Sequence, residues 1–263
     1  MNTKENNHIV YGENACFGVL NGIYSNNKRE LFSLFLTKES EILYLSHNNK
    51  IYRKLINYFK QKITITDKNH LKKLSSGEDS HQGIVLKVSD IKNNIYNIDD
   101  FIIDQNSSGK LSKIFILDQL QDPHNIGAII RSAYCFGFDG VAISEKNSPP
   151  INTTIIRTSA GYSEEMNIWR PKNITNTIQI LQENGYTVVC LDSNKNDDKN
   201  IDYAKLKKLF SEQNIAIIVG SEKIGIRDII RNSCDYSFTI PMAKGADSLN
   251  VSNAVAVVGF IAI

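Results

Sequence analysis

Residues 117–133 place an asparagine and an arginine where a helix start could bind a phosphate. Asn125 is of a type that commonly caps helices, and we predict that it caps the helix that follows. Arg131 lies one turn after Gly127 and Ala128, and helical side chains lean towards the N-terminus, so its guanidinium is expected to reach the helix start. Free amides and partial positive charge suit that end to a phosphate. The alternative is an Asn cap beside a solvated arginine.

A turn bracketed by Gly220 and Gly225 follows the apolar stretch 215–219 and carries Glu222 at its tip. Glycine permits unusual backbone angles and a close approach of a ligand. The spacing matches neither the dinucleotide-binding fingerprint nor the nucleoside-triphosphate loop, so both are disfavoured. The alternative is a strand-to-helix turn in which Glu222 complements the helix dipole.

Residues 240–251 form a third segment, a turn that leads into an apolar helix. Its backbone groups have no predicted sheet partner, which suits recognition of an adenine edge by main-chain hydrogen bonds. The alternative, that Ser248 or Asp247 only caps the helix, is compatible with a functional role. Because the last helix is apolar nearly all round, we expect burial on more than one side and interpret it as a dimer interface.

The elements that must position these segments alternate strand and helix. Strands are predicted at 114–117, 141–143, 187–191 and 215–219, and helices at about 126–136 and 174–181. Apolar strands alternating with helices indicate an α/β domain with a parallel sheet covered on both faces. Earlier in the chain, helices are predicted at 12–20 and 51–59 and strands at 31–36, 63–66 and 83–88, which indicates a small α/β unit. We predict domains at 1–90 and 113–263, joined by a linker at 91–112.

Composition sets the remaining limits. The chain has 263 residues, of which 41% are hydrophobic and 22% charged, with a net charge of +2, as expected of a soluble globular protein. Any nucleic-acid surface must therefore be local. The four scattered cysteines predict buried thiols rather than a disulfide framework or a metal site. The polar N-terminus lacks a signal-peptide core and the apolar stretch 254–263 is too short to span a bilayer, so we expect a cytoplasmic protein without a membrane partner.

Together the three segments resemble the signature motifs of the SpoU/TrmH branch of the SPOUT methyltransferases. The resemblance extends over about 114–263 and rests on Asn125 with Arg131, the Gly220-Ser221-Glu222 turn, and residues 240–250. Residues 8–15 and 81–85 also look like the RNA substrate-binding domain of bacterial 23S rRNA guanosine-2′-O-methyltransferases of this branch.

The resemblance implies a C-terminal trefoil-knotted SPOUT domain with a parallel sheet, preceded by a small, ribosomal-protein-like α/β domain that binds RNA. It implies a homodimer through the C-terminal domain, with the site at the subunit interface. The implied reaction transfers a methyl group from S-adenosylmethionine to a ribose 2′-hydroxyl of structured RNA, with a guanosine of 23S rRNA as the expected target.

The resemblance also implies roles for individual residues. Contacts to the cofactor, largely through backbone, would come from Gly220, Ile240, Met242 and Leu249. Arg131 would contact the hydroxyl and an adjacent phosphate. The residues that would orient it and the ribose are Asn125, Glu222, Ser248 and Asn250. The proton acceptor stays open between Arg131 and the phosphate, because a guanidinium is a very weak acid.

Three other functions compete with this interpretation. A transfer RNA 2′-O-methyltransferase of the same branch is disfavoured by the additional N-terminal domain. A non-catalytic RNA-binding or ribosome-assembly factor is disfavoured by the intact set of catalytic residue types. A Rossmann oxidoreductase lacks its glycine fingerprint. Lys223 and Ile224 depart from the smaller or acidic residues common in relatives, which puts the shape of the second turn in doubt.

Overall fold

A computed structural model of the chain describes residues 8–26, 29–90, 98–192, 198–221, 224–245 and 248–263. These residues divide into two compact units. The first unit takes its residues from 1–94 and 151–165, and the second takes its residues from 95–150 and 166–263. Residues 151–165 therefore belong with the first unit, although they lie inside the segment predicted as the catalytic domain.

The α-helices, in chain order, are α1 (Glu13–Asn26), α2 (Lys38–Ser46), α3 (Lys50–Tyr58), α4 (Lys68–Leu74), α5 (Ile98–Ser108), α6 (Pro123–Cys135), α7 (Thr153–Thr158), α8 (Ile174–Glu183), α9 (Tyr203–Glu212), α10 (Asp228–Ser233) and α11 (Val251–Ile261). The β-strands are β1 (His8–Tyr11), β2 (Leu31–Leu36), β3 (Ile63–Ile65), β4 (Ile84–Val88), β5 (Lys113–Leu117), β6 (Gly140–Ile143), β7 (Asn167–Trp169), β8 (Tyr186–Leu191), β9 (Asn200–Ile201), β10 (Asn214–Val219) and β11 (Tyr236–Phe238). Each predicted strand and helix has a counterpart among them.

The first unit is built on a four-stranded mixed sheet with the order β1-β4-β2-β3. Strand β4 pairs antiparallel with β1 and β2, while β2 and β3 run parallel. Helices α1, α2 and α3 contribute to its core, where the ring of Phe17 stacks on Tyr52 with centroids 3.6 Å apart and meets the edge of Tyr44. This core fixes α3 through one face and leaves its other face exposed.

The turn at residues 81–83 ties three elements of the first unit together. Gln82 accepts a hydrogen bond from the backbone N–H of Glu13 at the start of α1 (2.7 Å). Gly83 has a φ of +76°, and a Cβ there would lie 1.9 Å from Oγ of Ser40 on α2. Only glycine fits this position, so the glycine in segment 81–85 has a structural role.

Residues 151–165 are bound to the first unit by a buried ion pair and by close backbone packing. Nη2 of Arg29 lies 2.8 Å from Oε1 of Glu164, and both side chains are almost fully buried. A Cβ at Gly18 would lie 2.5 Å from Cα of Gly161, so α1 and this segment approach each other as only glycines allow. Removing one partner of such a buried pair is strongly destabilising, because the other charge is left without compensation.

The second unit contains a seven-stranded sheet with the order β7-β6-β5-β10-β8-β11-β9, and all of its described pairs are parallel. The parallel sheet predicted from the sequence is confirmed. Its central strands are buried along nearly their whole length, which explains their continuous apolar sequences. Trp169 packs in this core against the ring of Phe101, with centroids 4.9 Å apart.

Two local predictions for the second unit were wrong or incomplete. Helix α6 begins at Pro123 and is capped by Asp122, whose side chain accepts from the backbone N–H of His124 (2.8 Å). Asn125 is therefore inside the first turn and is not the cap. Pro123 is suited to the first helical position, so the helix starts earlier in the chain than predicted. The predicted linker contains helix α5, whose Phe101 and Ile102 are buried.

Helix α11 is only partly covered. Val255, Val258 and Ile261 are buried, whereas Phe260 and Ile263 are 67% and 73% exposed. A Cβ at Gly259 would lie 2.4 Å from the ring of Phe136, at the end of α6, so the covered side of α11 packs tightly there. The expected burial on more than one side is absent within the described part of a single chain.

The cysteines are free thiols, of which Cys16, Cys190 and Cys234 are buried. Cys135 is exposed, contrary to the expectation for all four. It lies on the last turn of α6, on the outward face of that helix. Among the described residues, no helix combines the length and apolar character needed to cross a membrane.

Candidate active site

Three residues follow the carboxyl ends of three adjacent strands. Asp118 follows β5, Gly220 follows β10 and Asp192 follows β8. Because β10 lies between β5 and β8, with Val219 opposite both Leu117 and Leu191, the three residues leave the sheet side by side. The carboxyl ends of parallel strands are where open α/β sheets collect ligands.

The Gly220–Gly225 turn is closed on itself. The backbone N–H of Gly225 donates to the carbonyl of Ser221 (2.9 Å), and Oγ of Ser221 accepts from the N–H of Ile224 (3.2 Å). A Cβ on Gly220 would lie 2.1 Å from the carbonyl oxygen of Gly225, while Gly225 itself has a φ of +72°. The two glycines are thus required for different reasons, the first for space and the second for backbone conformation.

Arg227 fastens this loop to β5. Its Nε and Nη2 donate to the two carboxylate oxygens of Asp118, each at 2.8 Å, in a two-point fork. The side chain of Asp118 is 1% exposed, and its hydrogen bonds raise the pKa of Arg227. Such a planar pair fixes orientation as well as distance.

Arg231 fastens the start of α10 to the other neighbouring strand. Its Nε donates to Oδ2 of Asp192 at 2.6 Å, and its Nη1 donates to Asp228 at 2.5 Å. The hydrogen bond to Asp192 is the main reason that the pKa of Arg231 is raised. The segment after β10 is therefore held on both sides by Arg–Asp pairs. Sequence reasoning missed these pairs, although each Asp directly follows an apolar strand and the arginines are four residues apart.

A cavity of about 480 Å³ lies beside this segment. All four predicted cofactor-binding residues, Gly220, Ile240, Met242 and Leu249, line it. Two predicted catalytic residues, Ser248 and Asn250, line it as well. The remaining lining residues are Leu191, Asp192, Val219, Ser221, Ile224, Gly225, Ile226, Thr239, Val251 and Ala254. The wall thus combines aliphatic side chains with backbone, hydroxyl, amide and carboxylate groups in similar proportion.

Asn250 connects this cavity to α6. Its Oδ1 caps α11 by accepting from the backbone N–H of Ser252 (2.8 Å), and its Nδ2 donates to Oδ1 of Asn125 (3.1 Å). Asn125 is 8% exposed. The structure therefore brings together two predicted catalytic residues, and both ends of the Asn250 amide are engaged by the protein. The cap of α11 is Asn250, rather than the Ser248 or Asp247 considered from the sequence.

Arg131 stands apart from this group. Arg131 lies on the exposed side of α6, about 9 Å along the helix axis from Asn125 at 1.5 Å per residue, and is not among the residues that line the cavity. It forms no ion pair with a described residue. Glu222 and Lys223 lie outside the described residues, so their predicted roles stay predictions. His124 is exposed at the start of α6.

No cluster of three His, Cys, Asp or Glu side chains suited to a metal ion occurs among the described residues. The charged groups near the cavity are instead engaged with each other, as Asp192 is with Arg231. The residues that line the cavity can bind and orient a ligand through backbone, amide and hydroxyl groups.

A parallel α/β sheet with a cavity at its carboxyl edge defines a protein that binds a small ligand at strand ends. The SpoU rRNA methylase family model matches residues 112–260. A putative TrmH family tRNA/rRNA methyltransferase of Staphylococcus saprophyticus is 31% identical over 215 residues, which cover 82% of this chain and 78% of the relative. A protein of the same description from Staphylococcus aureus is 33% identical over 174 residues, 66% of each chain. The chain belongs to the SpoU rRNA methylase family, in the SpoU/TrmH branch that its motifs predicted.

Solved structures agree with the fold. An S-adenosylmethionine-bound rRNA methyltransferase from Sinorhizobium meliloti aligns with a TM-score of 0.70 at 17% identity, covering 97% of this chain and 86% of its own. The SpoU methyltransferase AviRb from Streptomyces viridochromogenes aligns with a TM-score of 0.69 at 19% identity, covering 97% and 88%. At these identities the likeness concerns the fold alone.

Proposed function

We propose that this member of the SpoU family methylates ribose 2′-hydroxyls of RNA, with S-adenosylmethionine as the methyl donor. The observation that carries the proposal is the single cavity lined by Gly220, Ile240, Met242 and Leu249, the four residues assigned to the cofactor from the sequence. Family membership supports the reaction class. An S-adenosylmethionine-bound SpoU methyltransferase of the same fold supports the cofactor.

The residues present fit this cofactor. A cavity of about 480 Å³ is within the range of about 300–1,000 Å³ that holds small ligands. Residues 240–243 lie outside regular helix and strand, so their backbone groups can serve an adenine edge, with Ile240 and Leu249 beside its faces. Hydroxyl and carboxylate groups such as Ser221 and Asp192 suit the ribose and amino groups of the same molecule.

The bound cofactor supplies a methyl group on a positively charged sulfur, which is already strongly electrophilic. The protein must therefore hold the loops still, orient the ribose and accept a proton from its hydroxyl. Gly220, Arg227 and Arg231 fix the loop beside the cavity, and Asn250 with Asn125 fixes the starts of α11 and α6. We assign Ser248 and Glu222 to orienting the ribose.

Arg131 binds the phosphate next to the target ribose in this proposal. Its guanidinium is exposed and has no ion-pair partner among the described residues, as a phosphate-binding group requires. The phosphate then neutralises the guanidinium and can share in proton acceptance. The hydroxyl proton passes either to the phosphate or to Arg131 in a neutral, deprotonated state, because a guanidinium cation cannot accept a proton.

The same proposal includes a knotted C-terminal domain that forms a homodimer. By the family resemblance, residues 220–225 and 242–250 would be the threaded segments, and residues of both line one cavity. The exposed apolar side of α11, with Val257, Phe260 and Ile263, supports a subunit interface. Sedimentation of the wild type and of a Phe260→Glu variant tests it. We expect the wild type to be a dimer and the variant a monomer. A wild type that is already a monomer, or a variant that remains a dimer, would contradict the interface.

Methyl transfer from radiolabelled S-adenosylmethionine to unmodified ribosomal RNA tests the activity. Nuclease digestion should place the label on the 2′-oxygen of a nucleoside, and calorimetry should detect cofactor binding by the protein alone. Label on a base, or no binding of the cofactor, would contradict the proposal. Cofactor binding without transfer to any RNA would favour a non-catalytic RNA-binding factor.

The RNA target is a finer part of the proposal. We favour a guanosine of 23S rRNA, supported by the similarity of residues 8–15 and 81–85 to the substrate-binding domain of such enzymes. The relatives described as tRNA/rRNA methyltransferases keep transfer RNA as the second candidate. Mass spectrometry of RNase fragments from cells that lack this protein should show one missing ribose methyl group, in 23S rRNA if the first candidate holds.

A further inference from the structure

Helix α3 and the end of α1 carry a basic and aromatic surface on the first unit. We call it the α3 patch and define it by Tyr24, Lys50, Arg53, Lys54 and Tyr58. All five side chains are exposed. Lys50, Lys54 and Tyr58 follow each other at intervals of four residues, so they form one row along the helix.

The charge of this surface is unbalanced. Residues 42–66 contain five Lys or Arg and no Asp or Glu. Arg53 and the lysines of α3 form no ion pair with a described residue, whereas Lys38 on α2 pairs with Glu41 and Lys72 on α4 pairs with Asp79. Lys60 and Lys62, in the turn after α3, are exposed as well. Like charges gathered without counter-charges repel each other, and a polyanion relieves that repulsion.

The aromatic residues of the patch do not serve the core. Helix α3 is anchored by Leu55 and Ile56, which are 1% exposed, while the side chain of Tyr58 is 64% exposed. Tyr58 meets Tyr24 edge to face with centroids 4.8 Å apart, and Nζ of Lys54 lies 4.4 Å from the Tyr24 ring centre. These contacts order the two rings at the surface between cationic groups.

We propose that the α3 patch binds a single-stranded or looped segment of the substrate RNA, with Tyr58 stacking on an unpaired base and the cations contacting the flanking phosphates. Aromatic rings interleaved with Lys and Arg are how proteins bind unpaired nucleotides, since every base has a face that can stack. Paired bases are already stacked on each other, so exposed tyrosines favour unpaired RNA. The proposal rests on RNA being the substrate and names a surface of the first unit that binds it.

Fluorescence anisotropy of the full chain with a labelled single-stranded oligoribonucleotide, without cofactor, tests the patch. Tyr58→Ala should weaken binding roughly thirtyfold, the middle of the range for loss of one stacked base, while Tyr58→Phe should bind like the wild type. A Lys50→Gln, Arg53→Gln, Lys54→Gln variant should lower the slope of log K against log salt by about 2, at about 0.7 per phosphate contact. The duplex of the same sequence should respond to the charge change but not to Tyr58→Ala.

A matched control removes three exposed lysines from the second unit, at Lys172, Lys207 and Lys208, and should leave affinity and slope within about twofold of the wild type. An equal loss in this control, or wild-type affinity in Tyr58→Ala, would overturn the proposal. The proposal would also be overturned if Tyr58→Ala abolished dimer formation and left RNA affinity unchanged. Calorimetry with S-adenosylmethionine should give the same affinity for every variant, so failure of the patch and failure of the proposed methyl transfer are distinguishable.

Discussion

Cationic side chains are used in opposite ways on the loop after β10 and on helix α3. Arg227 and Arg231 each lie within hydrogen-bonding distance of an aspartate that follows a neighbouring strand. The cations of the α3 patch have no carboxylate nearby in the sequence and none paired with them among the described residues. A paired arginine holds the protein's own backbone, whereas an unpaired one is available to a ligand. Arg131 belongs to the second kind and Arg29 to the first.

The largest expected effect is that of Arg131→Ala, which removes an unpaired arginine. Methyl transfer should fall by about 10²–10³-fold or more, the loss typical when one group that stabilises developing charge is deleted. Cofactor affinity should stay near the wild-type value, because Arg131 does not line the cavity. Single-turnover transfer and calorimetry measure the two quantities. Normal transfer by this variant would remove Arg131 from the reaction.

Mixing subunits sharpens the same test, since Arg131 is absent from the cavity of its own chain. If Arg131 acts on the cavity of a second copy, mixing Arg131→Ala with Gly220→Ala should recover about a quarter of the wild-type activity through mixed dimers with one intact site. The cofactor concentration is kept too low to fill the cavity of the Gly220→Ala chain. Each variant alone is the control. No recovery in confirmed mixed dimers would mean that Arg131 serves its own chain.

Arg29→Ala should lower the free energy of unfolding of the first unit by about 3–5 kcal/mol, because Glu164 would be left buried without its counter-charge. The double change Arg29→Met and Glu164→Leu should restore much of that loss, since apolar residues of similar volume often replace buried ion pairs at little cost. Urea denaturation followed by circular dichroism measures both. If Arg29→Ala lowered the free energy of unfolding by less than about 1 kcal/mol, the pair would contribute no more than an exposed surface ion pair, which would contradict the prediction.

The two glycines of the Gly220–Gly225 turn should respond differently to alanine. Gly220→Ala places a methyl group 2.1 Å from the carbonyl of Gly225, so the turn must open and cofactor affinity should fall more than about tenfold. Gly225→Ala meets no neighbour within 4 Å and should cost only about 1 kcal/mol of stability for its positive φ. Calorimetry and thermal unfolding separate the two results, and equal affinities in both variants would contradict this reading of the turn.

Asp118→Asn should have a modest effect. The fork to Arg227 would lose its charge, and the free energy of unfolding should fall by about 1–2 kcal/mol, since Arg227 is partly exposed to solvent. Because the fork holds the loop that borders the cavity, the dissociation constant of the cofactor should rise, while transfer at saturating cofactor changes less. A fall in the transfer rate at saturating cofactor, with unchanged cofactor affinity, would mean that the Asp118–Arg227 pair acts on methyl transfer rather than on cofactor binding.

The apolar pattern predicted the parallel sheet, because buried parallel strands are continuously apolar. The four residues that the family resemblance implies for the cofactor line one cavity together with Ser248 and Asn250, and their role in cofactor binding stays a prediction. The sequence did not predict the helix at 98–108, whose short apolar run is diluted by Asp, Asn and Ser. The Arg–Asp pairs were missed because their partners are about 40–110 residues apart, a separation that only the strand order reveals.

Residues 151–165 have a consequence for how this protein can be divided. A fragment that ends at residue 94 would lack Glu164 and Gly161, so Arg29 would keep an uncompensated charge in its interior and α1 would expose the groove that Gly18 provides. The first unit is therefore not portable as a contiguous stretch of polypeptide. Chimaeras between relatives should fold only when residues 151–165 are exchanged together with the first ninety residues.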